Sequence, residues 1–300
     1  MNTCFKQRPA LLGATLLTLL LASQAAIADT DESPGNSGKL LLTGGVTQFE
    51  GAAGGGLTPW AVIGGYGTKD QIGANAFYTR LDLPDYQLED AGVLFGFYNR
   101  LEISLARQRF DTEQVGAALG LGRGFAFNQS VIGVKVRVFG DAILDQDSWI
   151  PQISIGLQHK RNSREAVLKF IGARDAEGTD FYVSASKLYL SQSLLLNGTL
   201  RYTRANQAGI LGFGGDKNNA YRPELEASVA YLLSRRWAIG AEYRMKPDNL
   251  GIAREDDWYD LFVAWAPSKH VSFTLAWANL GNIVIKDHQR GLYASVQIGF

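Results

Sequence analysis

Leu292-Tyr293-Ala294-Ser295-Val296-Gln297-Ile298-Gly299-Phe300, the last stretch of the chain, alternates without a break. Leu292, Ala294, Val296, Ile298 and Phe300 share one parity, and Tyr293, Ser295, Gln297 and Gly299 the other. Successive side chains of a strand point to opposite faces, so the stretch predicts a strand with one apolar face. A soluble sheet would show the same period, with its polar face in water. The two ends of the chain narrow the choice. The stretch finishes on an aromatic residue, and the chain begins with an export signal.

That signal is read from Met1 to Ala28. Lys6 and Arg8 give a charged start, residues 11–21 an apolar run, and Ala26-Ile27-Ala28 a small-x-small cleavage site before Asp29. The run is short for a spanning helix, which needs about 20 residues. Cys4, the single cysteine, precedes the apolar run and would leave with the signal. The remaining chain has no thiol, so disulfides and thiolate metal sites are excluded. Export together with an alternating, aromatic-ended last strand predicts an all-β fold. We expect an antiparallel transmembrane β-barrel in the outer membrane of a Gram-negative bacterium, with Phe300 resembling the signal read by the barrel assembly machinery. The expected layout is a signal peptide over 1–28, a periplasmic tail over 29–37 and the barrel over 38–300.

Working back from Phe300, the same period recurs. Val271, Phe273, Leu275 and Trp277 share a face, as do Tyr259, Leu261, Val263 and Trp265. Trp237, Ile239, Ala241 and Tyr243 oppose Ala238, Gly240, Glu242 and Arg244, and Ile132, Val134 and Val136 oppose Gly133, Lys135 and Arg137. Aromatics bracket several apolar faces, as rings that prefer the two lipid–water interfaces would. Mean hydropathy is near zero, as expected where lipid-facing and lumen-facing residues average out. Formal net charge is zero, so no strong field for nucleic acid follows. Connections alternate between long and short: 281–289, 246–256, 205–220, 160–178, 111–128, 82–90 and 49–58 on the expected outer side, and brief turns such as 266–269 and 233–235 on the other. Counting them predicts about 14 strands, the first near Lys39–Thr47. About 12 result if the first Gly-rich hairpin folds inward as a plug.

Several stretches carry a family resemblance. They are Gly44-Gly45-Val46 with Glu50 to Gly56, GTDFY at Gly178 to Tyr182, and Arg204-Ala205-Asn206-Gln207 with Leu211 to Gly215. Glu242 to Leu250 and the closing Gln297-Ile298-Gly299-Phe300 complete them. On these the chain resembles the proteobacterial family called domain of unknown function 3034, over nearly all of the exported part. The resemblance implies an outer-membrane barrel and no assigned reaction.

Candidate chemistry is sparse. The histidines are His159, His270 and His288, none in the His-x-Ser-Asn-Gly arrangement of barrel phospholipases, so loop histidines are expected and no catalytic residue. The glycine strings 120–124 and 212–215 do not open a helix after a parallel strand, as a phosphate cradle would. Glu255-Asp256-Asp257 and Asp260 lack the spacing of a calcium loop. No cofactor or metal is expected. Arg80, Arg107, Arg109 and Arg204 gather at the expected outer rim, where lipopolysaccharide phosphates would lie. The lumen is more informative. Strand parity turns Lys135, Arg137, Arg201, Glu224, Glu226, Glu242 and Arg244 inward, a mixed-charge wall of the kind that lines pores. Opposite charges could equally pair across a closed interior. The expectation is a narrow channel for a small solute, with residues 51–56 as an inward-folded constriction. The rival is a non-conducting structural or envelope-interaction barrel. A lipid-modifying enzyme is the least supported class.

Overall fold

A computed structural model describes residues 38–300. The expected signal peptide and tail lie outside the described residues. Two short strands come first, β1 (Val46–Thr47) and β2 (Ala53–Gly54), paired with each other and apart from the wall. The wall follows: β3 (Ile72–Asp82), β4 (Gln87–Phe97), β5 (Leu101–Asp111), β6 (Ala126–Phe139), β7 (Gln152–Asn162) and β8 (Glu177–Tyr189). It continues with β9 (Leu194–Thr203), β10 (Arg222–Leu232), β11 (Trp237–Arg244), β12 (Trp258–Ser268), β13 (Val271–Asn279) and β14 (Arg290–Gly299). Each is antiparallel to the next, and β14 pairs with β3, Val296 opposite Tyr78, to close a barrel of twelve strands. Closure leaves no strand edge unpaired, as a sheet in hydrocarbon requires.

Burial follows sequence parity residue by residue. In β12, Leu261 is 60% exposed and Phe262 6%. Every wall strand carries at least one large exposed hydrophobic residue on its outer face, from Ile72 on β3 to Ile298 on β14. An apolar belt running round the whole molecule far exceeds the few hundred Å² that soluble monomers expose, so it is a lipid-facing surface. Aromatic rings mark its borders. Trp237 stacks on Trp265 at 5.4 Å and Trp265 on Phe273 at 5.5 Å toward one end. Tyr259 meets Trp277 at 6.0 Å toward the other.

Short turns lie at one end, with 98–100, 190–193, 233–236 and 269–270 among them, and long loops at the other. Loop 112–125 carries a short helix, Val115–Ala118, and loop 163–176 another, Glu165–Phe170. The expected outer connection 82–90 is shorter than its bounds. Residues 82–90 form a tight hairpin with only 83–86 outside the strands, closed by Leu83 N donating to Tyr86 O at 2.9 Å. The alternation of Leu81 and of Leu88 continues into the segment and extends both strands.

The count of about 14 is corrected to twelve, the plugged alternative. Residues expected to open the wall, Lys39–Thr47 and the segment leading to Gly67, lie inside it. The run 51–56 has side chains too small to build a lipid face, but small enough to approach the wall closely. A Cβ on Gly55 would fall 2.1 Å from Glu242 Oε1.

At the long-loop end, Lys286 Nζ lies 2.7 Å from Asp85 Oδ1 and ties loop 280–289 to the 83–86 turn. The Lys286 hydrogen bond holds the Asp85 carboxyl below its ordinary value, with Gln289 helping. A depressed carboxylate contributes stability above its unfolded value, about 3.9, and loses it as pH falls through the folded one. Acidification below about pH 4 should therefore release loop 280–289, at a cost of at most about 1 kcal/mol for so exposed a pair. Faster amide exchange in 280–289, after correction for intrinsic rates, would show it. Unchanged protection down to full protonation would refute it.

Candidate functional site

The lumen holds the N-terminal segment, residues 38–67. It enters and leaves at the short-turn end. Lys39 N donates to Tyr66 O at 3.1 Å, and Tyr66 N to the carbonyl of Phe300 at 3.2 Å. Between these points the chain rises through the barrel and returns. Irregular backbone at this depth needs partners for its polar groups, and the wall supplies them. Pro59 O accepts from Thr199 Oγ1 at 2.8 Å, and Ala61 O from Gln152 Nε2 at 2.6 Å and Ser154 Oγ at 2.5 Å. Phe49 O accepts from Gln108 Nε2 at 2.7 Å, and Ala61 N donates to Ser186 Oγ at 2.7 Å.

Three charged anchors organise the contact. Glu50, fully buried at the centre, faces three wall cations. Lys160 Nζ bonds it directly and also reaches Asp180 at 2.5 Å. Arg244 grips both its carboxylate oxygens, at 2.7 and 3.2 Å. Arg201 stands 3.6 Å from Glu50, donates from Nε to Glu226 at 2.5 Å and from NH1 to Gln158 at 2.7 Å. Arg244 Nε lies 3.3 Å from Glu226. Lys160, Arg201 and Arg244 are thus balanced by Asp180, Glu226 and Glu50, and only Glu50 belongs to the plug.

The second anchor is Glu102, which accepts from Ala53 N at 3.0 Å and Gly64 N at 2.8 Å. Its neighbour Lys135, 3.1 Å away, donates to Ala53 O and Trp60 O at 2.9 and 3.2 Å. The third is Glu242, which accepts from Leu57 N at 2.7 Å, Thr58 N at 3.3 Å and Thr58 Oγ1 at 2.5 Å. Asp260 sits opposite Glu242 in the sheet register. Both of its carboxylate oxygens are buried without a hydrogen-bond partner, as are those of Asp90.

Above and below this polar tier the packing turns apolar. Leu42, Val46 and Trp60 of the plug meet Leu188, Leu195, Leu232 and Phe262 of the wall toward the short-turn end. Toward the long loops, Phe49 and Leu57 lie under Leu81, Phe110, Ile210, Trp258 and Ile283.

The lumen-facing residues expected from parity distribute as follows. Lys135, Arg201, Glu226, Glu242 and Arg244 all face inward, are at most 3% exposed, and touch the plug or each other. Glu224 is inward and 7% exposed, beside Arg201 in the register, and makes none of the ion pairs found among the described residues. Arg137 stands apart. It lies opposite the buried Ser154 near the short-turn end, just before a register shift, half-buried, and pairs with Asp141 at 3.2 Å. Phe300 is 65% exposed, its backbone bonded to Ala74 and Tyr66. Of the rim arginines, Arg80 bonds Asp82 at 2.9 Å, Arg109 bonds Asp111 at 2.8 Å, and Arg204 bonds Asp175 at 2.9 Å.

Four residues of the network escaped the sequence reading. Lys160 opens the expected loop 160–178 and Asp180 lies just beyond it, yet β7 runs on to Asn162 and β8 begins at Glu177. Carrying the parity Gln152, Ser154, Gly156, Gln158 one step further would have turned Lys160 inward. Glu50 was expected in an outer loop, and no local signal places it in the lumen. Asp260 is close in sequence to Glu255-Asp256-Asp257, but these diverge: Glu255 pairs with Lys246 at 2.9 Å, Asp257 accepts from Tyr243, and Asp260 points inward. His159 Nδ1 lies 3.0 Å from Thr179 Oγ1 on the outer face, while His270 bonds Gly299 O at the short-turn end.

Among solved structures the chain is similar to the KdgM porin, at 12% identity over 75% of this chain and 99% of that chain, TM-score 0.47. It is similar also to the NanC porin, at 11% identity over 77% and 99%, TM-score 0.49. The Escherichia coli outer membrane phospholipase A matches at 10% identity over 75% and 92%, TM-score 0.41. The likeness is one of barrel fold alone. No curated protein matches the chain. The family model "Protein of unknown function (DUF3034)" matches residues 43–297, and the chain belongs to that family.

Proposed function

We propose that this protein is an outer-membrane channel for a small solute, shut in the present conformation by residues 38–67 and opened when that segment withdraws. The observation that carries this is the path of the plug. Both of its ends lie at the short-turn end, so it can slide out without threading through the barrel. The chemistry of the wall agrees. Buried ion pairs add little stability over well-packed apolar groups. A wall that meets the plug through Glu102, Lys135, Lys160, Arg201, Glu242 and Arg244 is suited to facing water once the plug has gone.

A second reading has its own support. Apolar packing above and below the charged tier suits a permanently filled, non-conducting barrel whose outer loops, such as 205–220, meet a partner. A disulfide lock separates the two. The hydroxyls of Thr58 and Ser228 lie 2.5 Å apart, one on the plug and one on β10. In a planar bilayer, the parent protein should show openings. Thr58→Cys/Ser228→Cys should stay shut when oxidised and recover on reduction. Silence from the parent and from a variant lacking residues 38–67 would discard the channel in favour of the filled barrel.

A further inference from the structure

We infer that the solute of this channel is a small amino carboxylate, an amino acid or short peptide, and that the plug occupies its site as an internal mimic. The inference rests on the channel reading for its route, and on separate geometry for its chemistry.

Leu57 shows the pattern most directly. Its N–H points to Glu242 at 2.7 Å, and its carbonyl accepts from Arg244 NH1 at 3.0 Å. One residue of plug thus bridges an acid and a base two positions apart on the inner face of β11. Glu50 completes the picture by placing a carboxylate against Arg244 in bidentate fashion, with Lys160 bonded to it as well. Planar guanidinium forks of this kind match carboxylates. Wall rings back both guanidinium groups, Arg201 over Tyr182 at 5.3 Å and Arg244 over Trp258 at 5.7 Å, with Phe49 of the plug also against Arg244 at 5.3 Å.

Withdrawal of the plug changes both poles. The basic pole loses Glu50, so Lys160, Arg201 and Arg244 keep only Asp180 and Glu226 within ion-pair distance, three cations against two carboxylates in direct contact. The acidic pole loses the N–H groups of Leu57 and Thr58 from Glu242. Asp260 is already without partners there. The position a Cβ would take on Gly56 is 3.5 Å from both Asp260 Oδ2 and Glu242 Oε2, so the two carboxylates converge on one point. An ammonium group satisfies that pole and a carboxylate the other. A plain anion would engage only the arginines and a plain cation only Glu242 and Asp260, leaving the other pole to water and to its wall partners, Ser228 at Glu242 and Glu226 at the arginines.

The test uses the full chain with Ala61→Cys as a reporter. Ala61 is buried on the plug, and its backbone bonds go to Ser186, Gln152 and Ser154 and to neither pole. Its labelling by a maleimide in detergent micelles reports plug release without requiring conduction. L-alanine should accelerate labelling. Propionate, which lacks the amine, and ethylamine, which lacks the carboxylate, should be about tenfold weaker, the loss expected for one charge-assisted contact. Added Glu242→Gln should abolish the advantage over propionate, and Arg244→Gln the advantage over ethylamine. Equal effects of alanine and propionate, or none from any probe, would overturn the inference. Release by alanine in a protein that never conducts would overturn the channel and leave the site.

Discussion

Glu50→Ala is expected to release the plug while leaving the barrel closed. The substitution strands Lys160, Arg201 and Arg244 in a buried tier with only Asp180 and Glu226 to balance them. Removing one partner of a buried ion pair costs about 3–5 kcal/mol, because the remaining charge has no water to turn to. The wall strands are joined by their own ladders, from Glu226 opposite Arg244 round to Val296 opposite Tyr78, and do not need Glu50. The cost therefore falls on docking of residues 38–67, a population shift of about a hundredfold or more. Limited proteolysis should cut the plug of the variant and spare that of the parent, while both remain heat-modifiable on a denaturing gel. Removal of Glu165, whose pair with Lys169 is exposed on a loop, should do nothing comparable, since water screens such a pair and solvates the partner left behind. A plug equally protected in Glu50→Ala and parent would show that the charges do not hold it.

How far the sequence disclosed this arrangement depends on the range of the interaction that fixes each part. Strand identity and facing are local properties. The apolar set Leu261, Val263 and Trp265 states its own orientation, and Leu275 and Ile239 agree with it across the register. The inward placement of Lys135, Arg201, Glu226, Glu242 and Arg244 is the same information read on the other parity. What those charges meet is not local. Glu50 lies 110 residues before Lys160 and 194 before Arg244, and nothing in Glu50-Gly51-Ala52 records either partner. The glycine run 51–56 did suggest an inward fold, because it offered no lipid face, but not the depth it reaches. Lys160 and Asp180 were missed for a simpler reason: polar residues at strand ends resemble loop, and only the extended parity separates them. Arg137 shows that parity gives the face of a residue and not its partner. Opposite the buried Ser154 in regular register, Arg137 keeps its inward parity, but it lies at the short-turn end of β6 and pairs there with Asp141.

The lipid face gives the second large effect. Val263 lies on the outer face of β12, 40% exposed, between Ile239 of β11 and Leu275 of β13 in the register. Trp265 and Tyr259 flank it along the strand, one toward each aromatic border, which places it near the middle of the apolar belt. An arginine there cannot reach either interface without bending across its neighbours, and at the bilayer midplane such a substitution costs about 2–4 kcal/mol in a barrel. Val263→Arg should therefore lower the stability of the folded barrel in lipid by that amount, read from the denaturant midpoint in a phospholipid bilayer. The same substitution at Trp265, closer to the border, should cost about 0–1 kcal/mol for the charge itself, on top of the lost ring stack with Trp237. The comparison tests the membrane assignment through its depth dependence, which a water-exposed sheet does not have. In a soluble protein Val263→Arg would place a charge in water and cost within about 0.5 kcal/mol. A value that small, with Trp265→Arg the more damaging of the two, would mean that the belt faces something other than lipid.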